Sequence, residues 1–269
     1  MLDKEVKQPV TKESLIAELK KLGVGPNQII EVHASLASFD YVVGGAATIV
    51  DALLEIAKDG GTILMPTHAS DNSEPSKWSN PPISPSLYDE VRKSIPAYDA
   101  QSSDISKMGS VAENFRHRSG VVISSHPSLS YAAWGRYAKL LCNRQSLHFP
   151  LSEESPAARL YELKGYVLLL GCDFDSCTCM HLAEYRSDCR PITIEGAKLK
   201  SEGEEVWRKY LDLELKSEDF LVIKKILQER NSIRTTTIGG SAVQFFPAST
   251  AIDEATKYFE KTVVYDLYR

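Results

Sequence analysis

The residues best equipped for chemistry are His181 and Glu184, three apart in the segment MHLAEYR. Side chains three apart on a helix leave from one face, so a carboxylate there can hydrogen-bond the imidazole, fix its tautomer and raise its basicity. Such a pair can take a proton from an incoming nucleophile. The same spacing also occurs where a structural histidine sits beside a solvated glutamate, so the pair gains meaning only from the elements that hold it.

Those elements lie within the stretch 166–189. Residues 167–170 are four consecutive aliphatic residues bounded by glycines, which suits a strand buried on both faces. Residues 180–186 are good helix formers and carry the pair.

Upstream, residues 11–21 predict a helix with Thr11 as N-cap and Leu15, Leu19 and Leu22 as one buried stripe. Residues 28–33 form a short buried strand that runs into the loop 34–38. A helix over 46–58 follows Gly44-Gly45, with Ile49, Leu53 and Ile56 on its buried face, and a strand resumes over 62–65. Strand, helix, strand implies a parallel βαβ unit, in which the loops after the strands' carboxyl ends converge on a ligand crevice. Two loops therefore matter, 34–38 and 67–71. The first, Ser35-Leu36-Ala37-Ser38, could with Gly44-Gly45 offer backbone N–H groups and hydroxyls to a pyrophosphate, or be an ordinary connection.

Residues 71–106, rich in serine, proline and asparagine, predict an irregular excursion with short helices of its own. A short helix ending near Arg118, a strand over 121–123, a helix over 131–142 and a helix capped by Ser155 with Pro156 at its first position lead back to the central strand. Beyond 189, strands over 191–199 and 206–213 pair about a turn at 201–204. A helix over 217–228, a β-prone run over 234–238 and an amphipathic helix over 252–261 complete the chain. The fold class is α/β: an arm over 1–10, then a single mixed domain over 11–269. Its central largely parallel sheet is flanked by helices and followed by a C-terminal antiparallel extension.

At 269 residues, 43% hydrophobic and 25% charged, the chain can bury a sizeable core. Its net charge of -5 argues against nucleic acid and anionic membranes as partners and suits a cationic substrate. Five cysteines, four of them between Cys172 and Cys189, do not form the framework of a small secreted fold. With no apolar leader and no membrane-length run, the expected location is the cytoplasm. A homodimer is left open.

Taken together, the segments VHASLASFDYVVGGAATIVDALLE, GTILMPTHASDNSEPSKW, MGSVAENFR, SHPSLSYAAWG, ESPAARLYEL and GYVLLLGCDFDSCTCMHLAEYR resemble, in order and spacing, the aminoglycoside 3-N-acetyltransferases. The resemblance implies acetyl-coenzyme A as donor and an amine, aminoglycoside or related, as acceptor. It makes His181 the general base, taking a proton from the amine as nitrogen attacks the thioester, and Glu184 its orienting carboxylate. Thr178 is the candidate hydroxyl for the tetrahedral oxyanion, or else a helix N-cap. Ser35, Leu36, Ala37 and Ser38 would hold the coenzyme's pyrophosphate, and Met108, Gly109, Ser110 and Val111 would line its pantetheine channel. Thr67, His68, Asp71 and Asp212, with Glu214, Glu218 and Asp219 near the last, are candidates for the acceptor's wall, Asp71 foremost. His126 is assigned to positioning its loop.

The chain departs from the family pattern at Cys177, where most members carry asparagine, and at the neighbouring Cys179-Met180. Cys177, Cys179 and His181 alternate near Cys172, and thiolates with imidazole are zinc ligands. The spacing lacks a C-x2-C knuckle, and a zinc-bound His181 would be lost as a base, so no metal is expected. A cysteine nucleophile ranks below direct transfer. The alternatives to N-acetyl transfer are a catalytically altered coenzyme A- or metal-binding relative and an acyl-thioester hydrolase.

Overall fold

The computed structural model describes residues 6, 8–69 and 71–262. Of the N-terminal arm expected over 1–10, residues 1–5 and 7 lie outside the described residues, as do 263–269 at the other end. The end of the arm is built in: Val10 is buried and bridges Val42.

Helix α1 (Lys12–Leu22) begins at Thr11, whose hydroxyl accepts the Ser14 N–H while Ser14 Oγ accepts the Thr11 N–H. Strand β1 (Ile29–Ala34), helix α2 (Ala46–Ala57) and strand β2 (Thr62–Pro66) form the expected βαβ unit, with β1 and β2 parallel. The excursion over 71–106 contains helix α3 (Tyr88–Ser94) and several 3-10 turns. Helix α4 (Gly109–Arg116) and strand β3 (Val122–Ile123) follow.

Strand β4 (Tyr131–Gly135) and the short helix α5 (Ala138–Leu141) stand where one helix over 131–142 was expected. Tyr131-Ala-Ala-Trp has no local objection to a helix, but it is the antiparallel partner of β2, from Pro66↔Tyr131 to Thr62↔Gly135. Tyr131 and Ala133 enter one core and Ala132 the other, so burial on both faces overrides alanine's helix propensity. Gly135 turns the chain at φ +110°, where a Cβ would stand 2.3 Å from the Gly61 carbonyl oxygen.

Helix α6 (Pro156–Glu162), capped by Ser155, leads to strand β5 (Tyr166–Leu170) and helix α7 (His181–Tyr185). The hairpin β6 (Ile192–Ser201) and β7 (Glu204–Leu213) forms its own two-stranded sheet. Helix α8 (Phe220–Glu229), strand β8 (Arg234–Ile238), strand β9 (Ser241–Pro247) and helix α9 (Ala248–Phe259) close the chain.

The main sheet has the order β3-β4-β2-β1-β5-β9-β8. It is parallel only at its centre, β2-β1-β5, and antiparallel on both flanks. One core, with Leu168 and Leu170 of β5, lies under α1, α2 and α4. The other, with Val167 and Leu169, lies under α6 to α9. Alternate residues of β5 thus feed opposite cores, which is why its aliphatic run is unbroken. The carboxyl ends of β1, β2 and β5 open on one side, and the site forms there.

Candidate active site

A cavity of about 580 Å³ lies at those carboxyl ends. Its floor is His33 and Ala34 of β1 with Met65 and Pro66 of β2. One wall is the loop Ser35-Leu36-Ala37 and the start of α4, and the other carries Thr178 and His181.

His181 and Glu184 face each other as the spacing predicted. His181 Nδ1 lies 2.5 Å from Glu184 Oε2, leaving Nε2 as the ring nitrogen for the cavity. The Phe220 ring packs against the imidazole edge-on at 4.9 Å. Glu184 is fully buried, and its other oxygen accepts from Arg190 Nε at 2.5 Å and from the Lys216 N–H at 3.0 Å. Burial penalises the carboxylate, but bonds to His181 and Arg190 outweigh this and hold its pKa below the usual range. Arg190 Nη2 in turn pairs with Asp219. An ionised Glu184 keeps the Nδ1 proton in place and stabilises the imidazolium that forms when Nε2 takes a proton.

Thr178 lines the cavity, and its backbone N–H points to His33 Nε2 at 3.3 Å. α7 has Met180 at its N-cap position and no side-chain cap, so the Thr178 hydroxyl is not used in capping. Ser35, Leu36 and Ala37 line the opposite wall, but Ser38 does not: its hydroxyl donates to the Ser35 carbonyl and meets Ser241 Oγ. Gly44 and Gly45 are not in the lining either, the Gly45 N–H being bonded to the Val42 carbonyl. Met108, Gly109, Ser110 and Val111 all line the cavity. Gly109, at φ +83° and ψ 166°, occupies backbone space that only glycine enters freely.

The residues proposed for the acceptor wall scatter. His68 reaches the cavity with its Nε2 buried and unpartnered, and desolvation pushes its pKa down to about 3, which keeps the ring neutral. Thr67 is buried and bonded to Ser130, a structural role. Asp71 is exposed and pairs with Lys107 at 2.8 Å; Lys107, not Asp71, belongs to the lining. Asp212 is buried, accepts from the Tyr185 hydroxyl and the Leu213 N–H, and is absent from the lining. His126 does hold its loop: its Nδ1 accepts the Ser128 and Leu129 N–H groups while Nε2 donates to the Leu147 carbonyl.

Sequence reasoning missed His33, Lys107 and Asp175 as lining residues, and Arg190 as the cation beside Glu184. Only Asp175 carried a signal, an exposed carboxylate in the polar loop after β5. The zinc set weighed from sequence, Cys172, Cys177, Cys179 and His181, is not brought together, because His181 faces the cavity and the thiols of Cys177 and Cys179 are buried. Burial raises the Cys177 and Cys179 thiols and pushes Cys172 up to about 12, the opposite of an activated nucleophile.

The site thus combines a carboxylate-held imidazole in a cavity wall with the carboxyl side of parallel strands in an α/β domain, an arrangement of the kind found in acid–base enzymes. Residues 32–260 match the family model of the aminoglycoside 3-N-acetyltransferases, and the chain belongs to that family of acyltransferases. Among its relatives, the SPbeta prophage-derived aminoglycoside N(3')-acetyltransferase-like protein YokD of Bacillus subtilis (strain 168) is 38% identical over 252 residues, 93% of either chain. The crystal structure of YokD superposes with a TM-score of 0.92 at 36% identity, over 96% of this chain and 97% of that one. Aminoglycoside N(3)-acetyltransferase VIII of Streptomyces fradiae is 32% identical over 220 residues, 77% of this chain and 72% of its own. The structure of AAC-IIIb in binary complex with CoASH matches with a TM-score of 0.83 at 25% identity, over 94% of this chain and 97% of that one. No helix among the described residues is long and apolar enough to cross a membrane.

Proposed function

We propose that the protein transfers the acetyl group of acetyl-coenzyme A directly to an amine of an aminoglycoside or related amino compound, with His181 as general base. The observation that carries this reading is the 2.5 Å contact between His181 Nδ1 and the buried Glu184, which leaves the second ring nitrogen to the cavity. The neutral amine attacks the thioester carbon as His181 Nε2 takes its proton, so a C–N bond forms and the carbonyl oxygen becomes an oxyanion. The Thr178 hydroxyl donates to that oxyanion. Collapse breaks the C–S bond, and the imidazolium returns its proton to the departing coenzyme A thiolate.

Acetyl-coenzyme A as donor is supported by the acetyltransferase family and by the CoASH, the thiol product of that donor, named in the AAC-IIIb complex. Here Ser35, Leu36 and Ala37 and the first N–H groups of α4, from Gly109 and Ser110, would meet its phosphates and pantetheine arm, with Lys107 as the adjacent cation. A cationic acceptor would approach from the side of His181, where Asp175 offers an exposed carboxylate and His68 a neutral imidazole. This reading treats 11–269 as one acetyltransferase-like domain and places the enzyme with its donor in the cytoplasm.

Thiol release from acetyl-coenzyme A, measured with and without a panel of aminoglycosides and simpler polyamines, tests it. Amine-dependent release is expected, and His181→Ala should slow it by about 10²–10⁴-fold while coenzyme A binding by calorimetry is retained. Release that needs no amine would replace transfer by thioester hydrolysis. Undiminished turnover in the variant would remove His181 from the mechanism.

A further inference from the structure

The turn from Cys177 to Cys179 has two sides. Thr178 lines the cavity, while both cysteine thiols are packed near Glu31 on β1. Cys177 Sγ and Cys179 Sγ stand 3.7 Å apart, and with a Glu31 oxygen they form a group in which all ligand atoms lie within 4.8 Å of one another. All three residues are 1% exposed or less. Glu31 Oε1 accepts the Cys179 N–H at 3.1 Å and lies 2.6 Å from His33 Nε2, but Glu31 Oε2 is buried with no hydrogen-bond partner. A carboxylate oxygen left so costs about 1–3 kcal/mol unless a cation meets it.

We propose that Glu31, Cys177 and Cys179 form a buried zinc site, separate from the transfer centre, that ties β1 to the turn bearing Thr178 and His181. Two thiolates on one tetrahedral zinc, at about 2.3 Å from the metal, stand about 3.8 Å apart, close to the separation already present. Two thiolates with a carboxylate favour zinc over magnesium or calcium, which prefer all-oxygen shells. The charge closes as well: zinc enters as a dication and the two thiols release their protons to solvent. The loaded site therefore carries the same single negative charge as the carboxylate beside two thiols. The fourth position of the tetrahedron is left to a water or other exogenous ligand, since His33 Nε2, beside Glu31 Oε1, already accepts the Thr178 N–H. The structural consequence is local: the metal fixes the backbone on both sides of Thr178 and with it the entry to α7.

The test reads the metal rather than the reaction. Full-length protein grown with added zinc, purified under reductant and desalted, is expected to retain stoichiometric zinc by mass spectrometry. Protein grown with cobalt should show near-ultraviolet thiolate-to-cobalt absorption and the visible bands of tetrahedral cobalt. Cys177→Ser and Cys179→Ser should each lose the near-ultraviolet band, and Cys142→Ser, at a buried cysteine elsewhere, should keep it. If the two serine variants fail to fold, the sulfur count from X-ray absorption of the parent decides. Folded parent that holds neither metal, or a thiolate band that survives both serine substitutions, overturns the site.

Discussion

Two histidine–glutamate pairs flank the same turn, and they differ in what else holds the carboxylate. His181 and Glu184 sit on α7, His33 and Glu31 on β1, where residues two apart share a face. Both contacts are short, at 2.5 and 2.6 Å, and both glutamates are fully buried. Glu184 has Arg190 and the Lys216 N–H on its second oxygen, so its charge is compensated apart from the histidine. Glu31 has the Cys179 N–H on the oxygen it already shares with His33 and nothing on the other. The imidazoles are engaged through different nitrogens: His181 through Nδ1, with Nε2 left for the cavity, and His33 through Nε2, which meets both Glu31 and the Thr178 N–H. An acid–base pair is served by a carboxylate that partners other than the histidine also hold, and of the two pairs it is the one on α7 that has them.

The largest test of that contrast is kinetic. His181→Ala should lower kcat by about 10²–10⁴-fold, the usual contribution of a positioned general base. His33→Ala should lower it by no more than about tenfold, acting mainly on KM through the cavity floor. Equal losses in kcat would break the distinction. The next test is thermodynamic and concerns the carboxylates. Glu184→Gln removes the anion beside buried Arg190 and should cost about 3–5 kcal/mol in urea unfolding, as a broken buried pair does. Glu31→Gln in protein stripped of metal should cost less, about 1–3 kcal/mol, because no cation is abandoned. A reversed order would show that Glu31 is the better compensated of the two.

How much of this was legible in the sequence follows from the range of each interaction. Thr11 as a cap, the Leu15-Leu19-Leu22 stripe and the His181–Glu184 pair are settled within one or two helical turns, and each was found from spacing. β4 and β9 were not. Tyr131 to Gly135 is a strand because β2, remote in the chain, lies beside it, and local propensity carries no record of that neighbour. Ser241 to Pro247 pairs with remote β5 on one side but with β8 on the other, across the Gly239-Gly240 turn, a local hairpin signal that sequence reasoning took only as a break. The site divides the same way. The loop after β1 was placed at the cavity because a βαβ unit dictates which loops share an end, and the start of α4 through the family resemblance. Ser38 turned to Ser241 and Asp71 to Lys107, choices that depend on partners far along the chain. Glu31 escaped notice because a charged residue inside an apolar strand gives no periodic signal, and Arg190 because its approach to Glu184 is set by the bend between α7 and β6.

The smallest effect concerns a third carboxylate close to His181. Asp212 has neither an arginine like Glu184 nor a histidine like Glu31; it accepts from the Tyr185 hydroxyl and the Leu213 N–H, and burial raises its pKa from 3.8 to about 6. The folded chain therefore holds a proton that the unfolded chain has released. The stability from this group is complete below about 3.8 and is lost as pH rises through about 6, a swing of about 3 kcal/mol. His68 and His126, lowered to about 3 and about 4, act in the opposite direction, so the raw pH profile of the parent mixes the two signs. The difference between Asp212→Asn and the parent isolates the carboxylate, since both share the histidines. The variant should gain on the parent by about 3 kcal/mol between pH 4 and pH 7, read as a rising difference in Tm. A flat difference would mean that Asp212 is ionised throughout, and a compensating cation near His181 would then have to be found for it as Arg190 is for Glu184.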